Sequence, residues 1–411
     1  MTSNRVAIAL VTSLFFLWAL AHNLNPILIP HLRKALQLTD LRSALVDSAF
    51  FIAYFVMALP AGALMKRFGY KAGIVGGLLL FAMGTFLFWP AATLRSYPFF
   101  LSALFVIASG LTFLETAANP YISVLGDPAS APRRLNFAQA FNGLGAALAA
   151  FFGGRFILSG TALTNEEIQA MHPEDLNAFL TSEALAVRVP YLIIGLIVLT
   201  AAVLFLRIHL PEIQDTDERN GARDPKAWRR LWRGVAAQFC YVGAQVGVAS
   251  FFIRFSGQVA GIGEQDAAYL LSIGLLLFMA GRFIGTALMR WVAPPTLLAL
   301  CAASALVLVG VAVLAPGWTA VIALLGVELL MSIMFPTIFS LSIDGLGRDT
   351  KLGSSLLVMS IVGGAVIPPL MGAISDRYGI QPAYLVPLLC FVAVLWFANA
   401  LRGSKGERVR G

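Results

Sequence analysis

The sequence predicts an all-α membrane protein, with 12 transmembrane helices in two pseudo-symmetric six-helix bundles. Three observations predict it. Of 411 residues, 59% are hydrophobic and only 12% charged, with a mean hydropathy of +0.82. A soluble domain carries about 25% charged residues, so this chain cannot cover itself with a water-compatible surface. Apolar stretches near the roughly 20 residues that cross a bilayer recur along almost the whole chain. Finally, one long polar stretch, 211–228, divides those stretches into equal sets.

The expected spans are 6–32, 42–65, 72–94, 98–125, 135–158 and 188–208, then 231–256, 266–290, 295–314, 319–343, 353–375 and 382–401. They are called spans 1 to 12 below. A transmembrane β-barrel would alternate apolar and polar residues, and this chain does not. The first apolar run, after Arg5, imitates a secretory signal, but it continues through Leu24 and Ile27 to Ile29 and reads as an uncleaved span. The organisation is therefore a bundle over 1–210, a connecting loop over 211–228 and a second bundle over 229–411.

Orientation follows from charge. The net charge of +8 does not point to nucleic acid, because the positive residues sit in short loops, where they mark the cytoplasmic side. Lys66, Arg67, Lys71, Arg133, Arg134, Arg290, Arg348, Lys351 and the tail residues Arg402 to Arg410 all fall on one side. Loop 160–187, with Glu166, Glu167, Glu174, Asp175 and Glu183, falls on the other. Both termini are then expected in the cytoplasm, in a bacterial-type inner membrane. Cys240, Cys301 and Cys390 lie inside spans without metal or disulfide spacing, so no metal and no cofactor is expected.

Two six-span halves are a plan of secondary transporters, with the substrate site near the membrane midplane. Repetition agrees. Span 2 ends Gly62-Ala-Leu-Met-Lys66 and span 8 ends Gly285-Thr-Ala-Leu-Met-Arg290, each with a small residue one turn before a basic exit. Glycines at 143, 145, 153 and 154 in span 5, and at 353, 363, 364 and 372 in span 11, suit either tight packing or a conformational role.

The informative polar residues are those that accept burial in lipid, at about 2.5–3.5 kcal/mol for an ionisable group at mid-helix. Glu115 lies in span 4 within Leu114-Glu115-Thr-Ala-Ala-Asn119-Pro120, with Asn119 one turn on along the same face. A carboxyl removed from water holds its proton more firmly, which suits a proton carrier. Asp47 in span 2 lies near the outer end. Glu328 in span 10 stands ten residues past Trp318, about 15 Å deep. Glu328 is either a coupling acid or a packing acid paired across helices, and Asp47 is either a coupling acid or a solvated or helix-capping one.

Amides and hydroxyls suit a sugar, because they donate and accept at once. Span 1 carries Asn23 and Asn25, span 5 carries Gln139 and Asn142, and span 7 carries Gln238, Tyr241 and Gln245 on one helix face. His22 reads as a core histidine and His31 as interfacial. Arg282 either pairs with an acid or snorkels. No phosphate-binding loop, zinc-protease helix or serine-hydrolase elbow occurs, so neither an ATP-driven pump nor an enzyme of these kinds is expected.

The chain resembles the L-fucose/proton symporter family of the major facilitator superfamily, which includes glucose/galactose transporters. The likeness rests on Ser13-Leu-Phe-Phe-Leu-Trp18, Ala61-Gly-Ala-Leu-Met-Lys66, the Glu115 segment, Arg134-Leu-Asn-Phe-Ala-Gln139-Ala-Phe-Asn142, Gln238-Phe-Cys-Tyr-Val-Gly-Ala-Gln245, Phe335-Pro-Thr-Ile-Phe-Ser-Leu341 and Asp349-Thr-Lys-Leu-Gly-Ser-Ser355. It implies the major facilitator fold and proton-coupled sugar import by alternating access. Glu115 is then the coupling glutamate, and Asn23, Gln139 and Asn142 line the sugar cavity.

Two departures stand out against that resemblance. Lys66 replaces the acid of the family's loop signature. Leu24-Asn25-Pro26 has proline where the family has aspartate, so Glu328 first and Asp47 second are expected to replace the lost acid. The alternatives that stay open are an uncoupled facilitator, a sugar sensor without transport and, less well suited to so many amides, a drug exporter. The expected partners are a sugar, protons and the bilayer, not nucleic acid, and the protein is expected to be monomeric.

Overall fold

The computed structural model describes residues 2–22, 36, 40–156, 171–208, 210–211 and 224–408. Every described element is helical. Among the described residues, nine helical runs are long and apolar enough to cross a membrane, and one of them, Ala49–Thr93, has 45 residues. At 1.5 Å per residue that run is about 68 Å long, twice the roughly 30 Å of a bilayer core. It holds spans 2 and 3, which break at Gly69. There φ is 81°, which suits a residue without a Cβ. With span 1 as Thr2–His22 and span 5 as Ala131–Phe156, the total is 12. The chain is thus a multi-pass membrane protein of the expected fold class.

The helices form two compact units. Met1–Ala118 and Phe141–Glu212 make the first; Asn119–Ala140 and Ile213–Gly411 make the second. Spans 4 (Tyr97–Val124) and 5 contribute residues to both.

In the first unit, glycines let spans 3 and 4 touch through their backbones. A Cβ on Gly77 would come 2.9 Å from the Gly110 carbonyl, and one on Gly110 would come 2.5 Å from the Phe81 nitrogen. Without hydrophobic pressure from water, such close van der Waals approach is what holds spanning helices together. Span 6 (Arg188–Arg207) packs on span 3, with Tyr191 stacked on Phe88 at 3.8 Å. Lys71 donates to the carbonyls of Leu206 and Ile208, both at 2.9 Å, and so caps the end of span 6 with a cation.

Part of the expected loop 160–187 is a helix, Pro173–Ala186. Its start signals are a proline in the first turn with Glu174 and Asp175 beside it. It buries Leu180, Glu183 and Ala184, which share one face, so Glu183 is a packed residue rather than a loop charge. Arg95 ties the helix down through Asn177 at 2.5 Å and Thr181 at 3.2 Å.

The second unit holds spans 7 (Pro225–Ala260), 8 (Glu264–Leu288) and 9 (Pro294–Leu314). Span 10 is two helices, Gly317–Met331 and Met334–Ile343. Span 11 runs from Thr350 to Tyr378 through a tighter turn at Ser360–Val362, and span 12 ends in Leu385–Arg408. Spans 7 and 11 meet along rows spaced four residues apart: Phe239 on Gly363, Gly243 on Ile367 and Gly247 on Met371. These are ridges of one helix set into grooves of the other.

A Cβ at Gly363 would run into the Phe239 carbonyl, which is backbone and cannot swing aside. Gly363→Ala is therefore expected to destabilise the protein by about 3 kcal/mol or to force spans 7 and 11 apart. A melting curve in detergent checks this. A melting temperature equal to wild type would show that the two helices do not meet at this residue.

Candidate substrate and proton sites

In the first unit, Glu115 is half-buried on span 4 and accepts a hydrogen bond from the Tyr54 hydroxyl of span 2 at 3.2 Å. Tyr54 itself is 3% exposed. The bond crosses 61 residues of chain, and a phenol is the kind of donor that holds a carboxyl in one rotamer without cancelling its charge. Asp47 belongs to the same span-2 helix, but its side chain lies outside the described residues. Asn23, with Asn25 and Pro26, lies outside them entirely. Asn142 is half-buried on span 5.

In the second unit the polar residues converge more densely. Gln139 Nε2 donates to Asn119 Oδ1 at 3.1 Å, and both side chains are buried. Arg282, 6% exposed, donates from Nη1 to the Gln139 carbonyl at 2.5 Å and to Gln139 Oε1 at 3.4 Å. Its Nε donates to the Ser332 carbonyl at 3.1 Å, and its guanidinium lies 4.7 Å from the centre of the Phe278 ring. Arg282 therefore does not snorkel. It holds the Asn119–Gln139 pair against the break in span 10.

That break has a local cause. Pro336 has no N–H, so the carbonyl four residues earlier, Ser332, loses its helical partner. Arg282 fills the place. One residue earlier, the Met331 carbonyl accepts from the Tyr241 hydroxyl at 2.9 Å. Tyr241 thus uses its one O–H donor on span 10. One turn before Gln139, Asn136 Nδ2 donates to Thr337 Oγ1 at 3.0 Å.

Gln238 is fully buried, and neither of its side-chain polar atoms has a hydrogen-bond partner among the described residues. The same holds for Asn119 Nδ2 and Asn136 Oδ1. A buried polar group left unmatched costs about 1–3 kcal/mol, so a polar ligand or an ordered water that bonds these amides would be favoured. Gln245, on the same span-7 face, is half-buried.

Glu328 lies one turn before Ser332 and is 2% exposed. Its Oε1 has no hydrogen-bond partner among the described residues. A glycine face on span 8 places it there. Gly274 faces Glu328, with a Cβ position 3.2 Å from its Cγ, while Gly281 faces Ser332 and Gly285 faces Ile333. The small residue in the Gly285 exit segment is thus a contact for span 10. Arg254 is exposed and lies 5.4 Å from the Phe251 ring centre.

Three participants escaped the sequence reading. Ser332 was findable, because it stands four residues before a proline in a span. Asn136 was findable by helical spacing, three residues before Gln139. Nothing in a linear string pairs Tyr54 with Glu115.

Residues 7–351 match the model of the Major Facilitator Superfamily. The chain is 45% identical over 405 residues to the L-fucose-proton symporter of Escherichia coli K12, covering 96% of this chain and 92% of that protein. It is 42% identical over 404 residues to a glucose/galactose transporter of Brucella abortus, covering 97% and 94%. Its structure superposes on the crystal structure of the transporter FucP in the outward conformation with a TM-score of 0.89, at 44% identity, covering 97% and 99%. The human organic anion transporter MFSD10, at 16% identity and a TM-score of 0.70, shares the fold alone. Identity of this extent over almost the full length places the chain in the major facilitator superfamily, in the family of L-fucose–proton symporters and glucose/galactose transporters.

Proposed function

We propose that this protein imports a hexose, with L-fucose the first candidate, by alternating access and with a proton as coupling ion. The observation that carries the reading is the buried Asn119–Gln139 pair, bonded at 3.1 Å and leaving Asn119 Nδ2 free for another acceptor. Amides that bond each other and still hold an unused donor suit a ligand whose hydroxyls donate and accept. The orphaned Gln238, and Gln245 beside it, extend the polar surface within the second unit. Asn23 and Asn142 are proposed sugar ligands on spans 1 and 5. Tyr241, whose hydroxyl donates to the Met331 carbonyl, still has an oxygen that can accept from a sugar hydroxyl and is a further proposed ligand.

Proton coupling is assigned to Glu115, with Glu328 as the replacement for the family aspartate and Asp47 as the second choice. The reading includes two six-span halves, 1–210 and 229–411, joined by 211–228, and a monomer in a bacterial inner membrane. The basic loops support a cytoplasmic position for both termini.

The test is counterflow into proteoliposomes, with L-fucose, D-glucose and D-galactose offered in turn. Uptake of one hexose, with accumulation collapsed by an uncoupler, is the expected result. Uncoupler-insensitive equilibration would identify a facilitator. Saturable binding with no flux of any hexose would overturn the transport reading in favour of a sensor.

A further inference from the structure

A cavity of about 320 Å³ opens beside the basic ends of spans 5 and 8 and is lined by Arg133, Arg134, Phe137, Phe283, Thr286 and Arg290, among others. We propose that it binds the phosphodiester headgroup of an anionic phospholipid of the cytoplasmic leaflet. This site has no part in the sugar and proton chemistry above.

Three guanidinium groups share one small cavity. Arg134 is anchored to backbone carbonyls: Ile122 at 3.2 Å, Ser123 at 2.8 Å and Asp127 at 2.7 Å, with the Ser130 hydroxyl also in contact. Arg133 and Arg290 are exposed and have no hydrogen-bond or ion-pair partner among the described residues. A cavity wall that gathers like charges at a cost is relieved by an anion, and guanidinium groups bind phosphate oxygens in pairs.

The other end of the cavity is apolar, which selects a lipid over a soluble anion. Phe137 lies one turn into span 5 from Arg133, and Phe283 lies two turns into span 8 from Arg290, about 6 and 10 Å along the helices. Both rings are 45% exposed, and Ile284 and Leu288 beside Phe283 are exposed as well. Trp291, 77% exposed, follows Arg290, where an aromatic marks the membrane–water boundary. Charge at the headgroup level with apolar surface running inward is the shape of a phospholipid, and basic pockets between spans bind such headgroups.

Native mass spectrometry of the full-length protein, after exchange into nanodiscs of phosphatidylglycerol and phosphatidylcholine, tests this. Wild type is expected to retain phosphatidylglycerol over phosphatidylcholine. Arg133→Gln/Arg290→Gln is expected to lose that retention by at least about tenfold, which is about 1.4 kcal/mol. Arg402→Gln, an exposed cation elsewhere, should behave as wild type. The pair Arg133→Lys/Arg290→Lys should restore part of the retention, since charge is kept while the paired hydrogen bonds are lost. Because the exchanged residues are exposed, unchanged melting temperatures are expected and serve as the folding check. Equal retention in wild type and the glutamine pair overturns the site. Displacement of the lipid by millimolar inorganic phosphate overturns the lipid assignment and leaves a soluble-anion site.

Discussion

Glu115→Gln is expected to abolish uphill sugar accumulation while sparing exchange. The steady-state ratio of internal to external sugar should fall to about one, and an uncoupler should no longer change it, because no ionisable group remains at this position to link sugar to the proton gradient. Glutamine keeps the side-chain oxygen that accepts from Tyr54 at 3.2 Å, so the local bond survives. Counterflow needs no proton gradient and should stay within about tenfold of wild type, since a single altered hydrogen bond is worth about 0.5–1.5 kcal/mol. Tracer uptake into proteoliposomes, with and without an imposed pH gradient, measures both quantities. Accumulation that persists in the variant would remove Glu115 from the coupling path.

The second large effect is expected at Glu328. The residue is 2% exposed, Oε1 has no hydrogen-bond partner among the described residues, and span 8 presents Gly274 to it. An ionised carboxylate held there without a partner would cost several kcal/mol. A structural acid would bond both of its oxygens, and Oε1 is left without a hydrogen-bond partner among the described residues. Glu328→Gln should therefore abolish sugar-dependent proton uptake, read as alkalinisation of a weakly buffered suspension. Asp47→Asn should leave it intact. The reverse pattern would move the role to Asp47. Unchanged proton uptake in both would show that the acid lost at Pro26 has no replacement on spans 2 or 10.

A competing account of Glu328 is that it merely packs. The two accounts differ in what leucine does there. A packing acid replaced by Glu328→Leu should keep coupling and gain stability, since replacing buried charge with apolar volume is often stabilising. A coupling acid should lose coupling in the leucine and glutamine variants alike.

How much was legible beforehand depends on the length scale of the cause. Hydropathy, span number and the break before the second set of spans depend only on residue types over windows of about 20, because each backbone in lipid must satisfy its own hydrogen bonds within its helix. The helix Pro173–Ala186 differs from the loop that its polarity and shortness suggest, and its proline and first-turn acids are the local signals of its start. Glu115 and Glu328 stood out because charge in lipid is costly wherever it sits.

A 12-helix membrane protein, its basic loops and the short list of polar residues that burial makes expensive all follow from the residue string. Which of these groups bond one another follows from the packing of the helices: Tyr54 with Glu115, Asn119 with Gln139, and Arg282 with the carbonyls of Gln139 and Ser332. The physical reason is separation. Burial cost belongs to one residue in its own helix, while a hydrogen bond here joins atoms 20 to 143 residues apart, brought together by glycine-lined contacts that set how closely two helices approach.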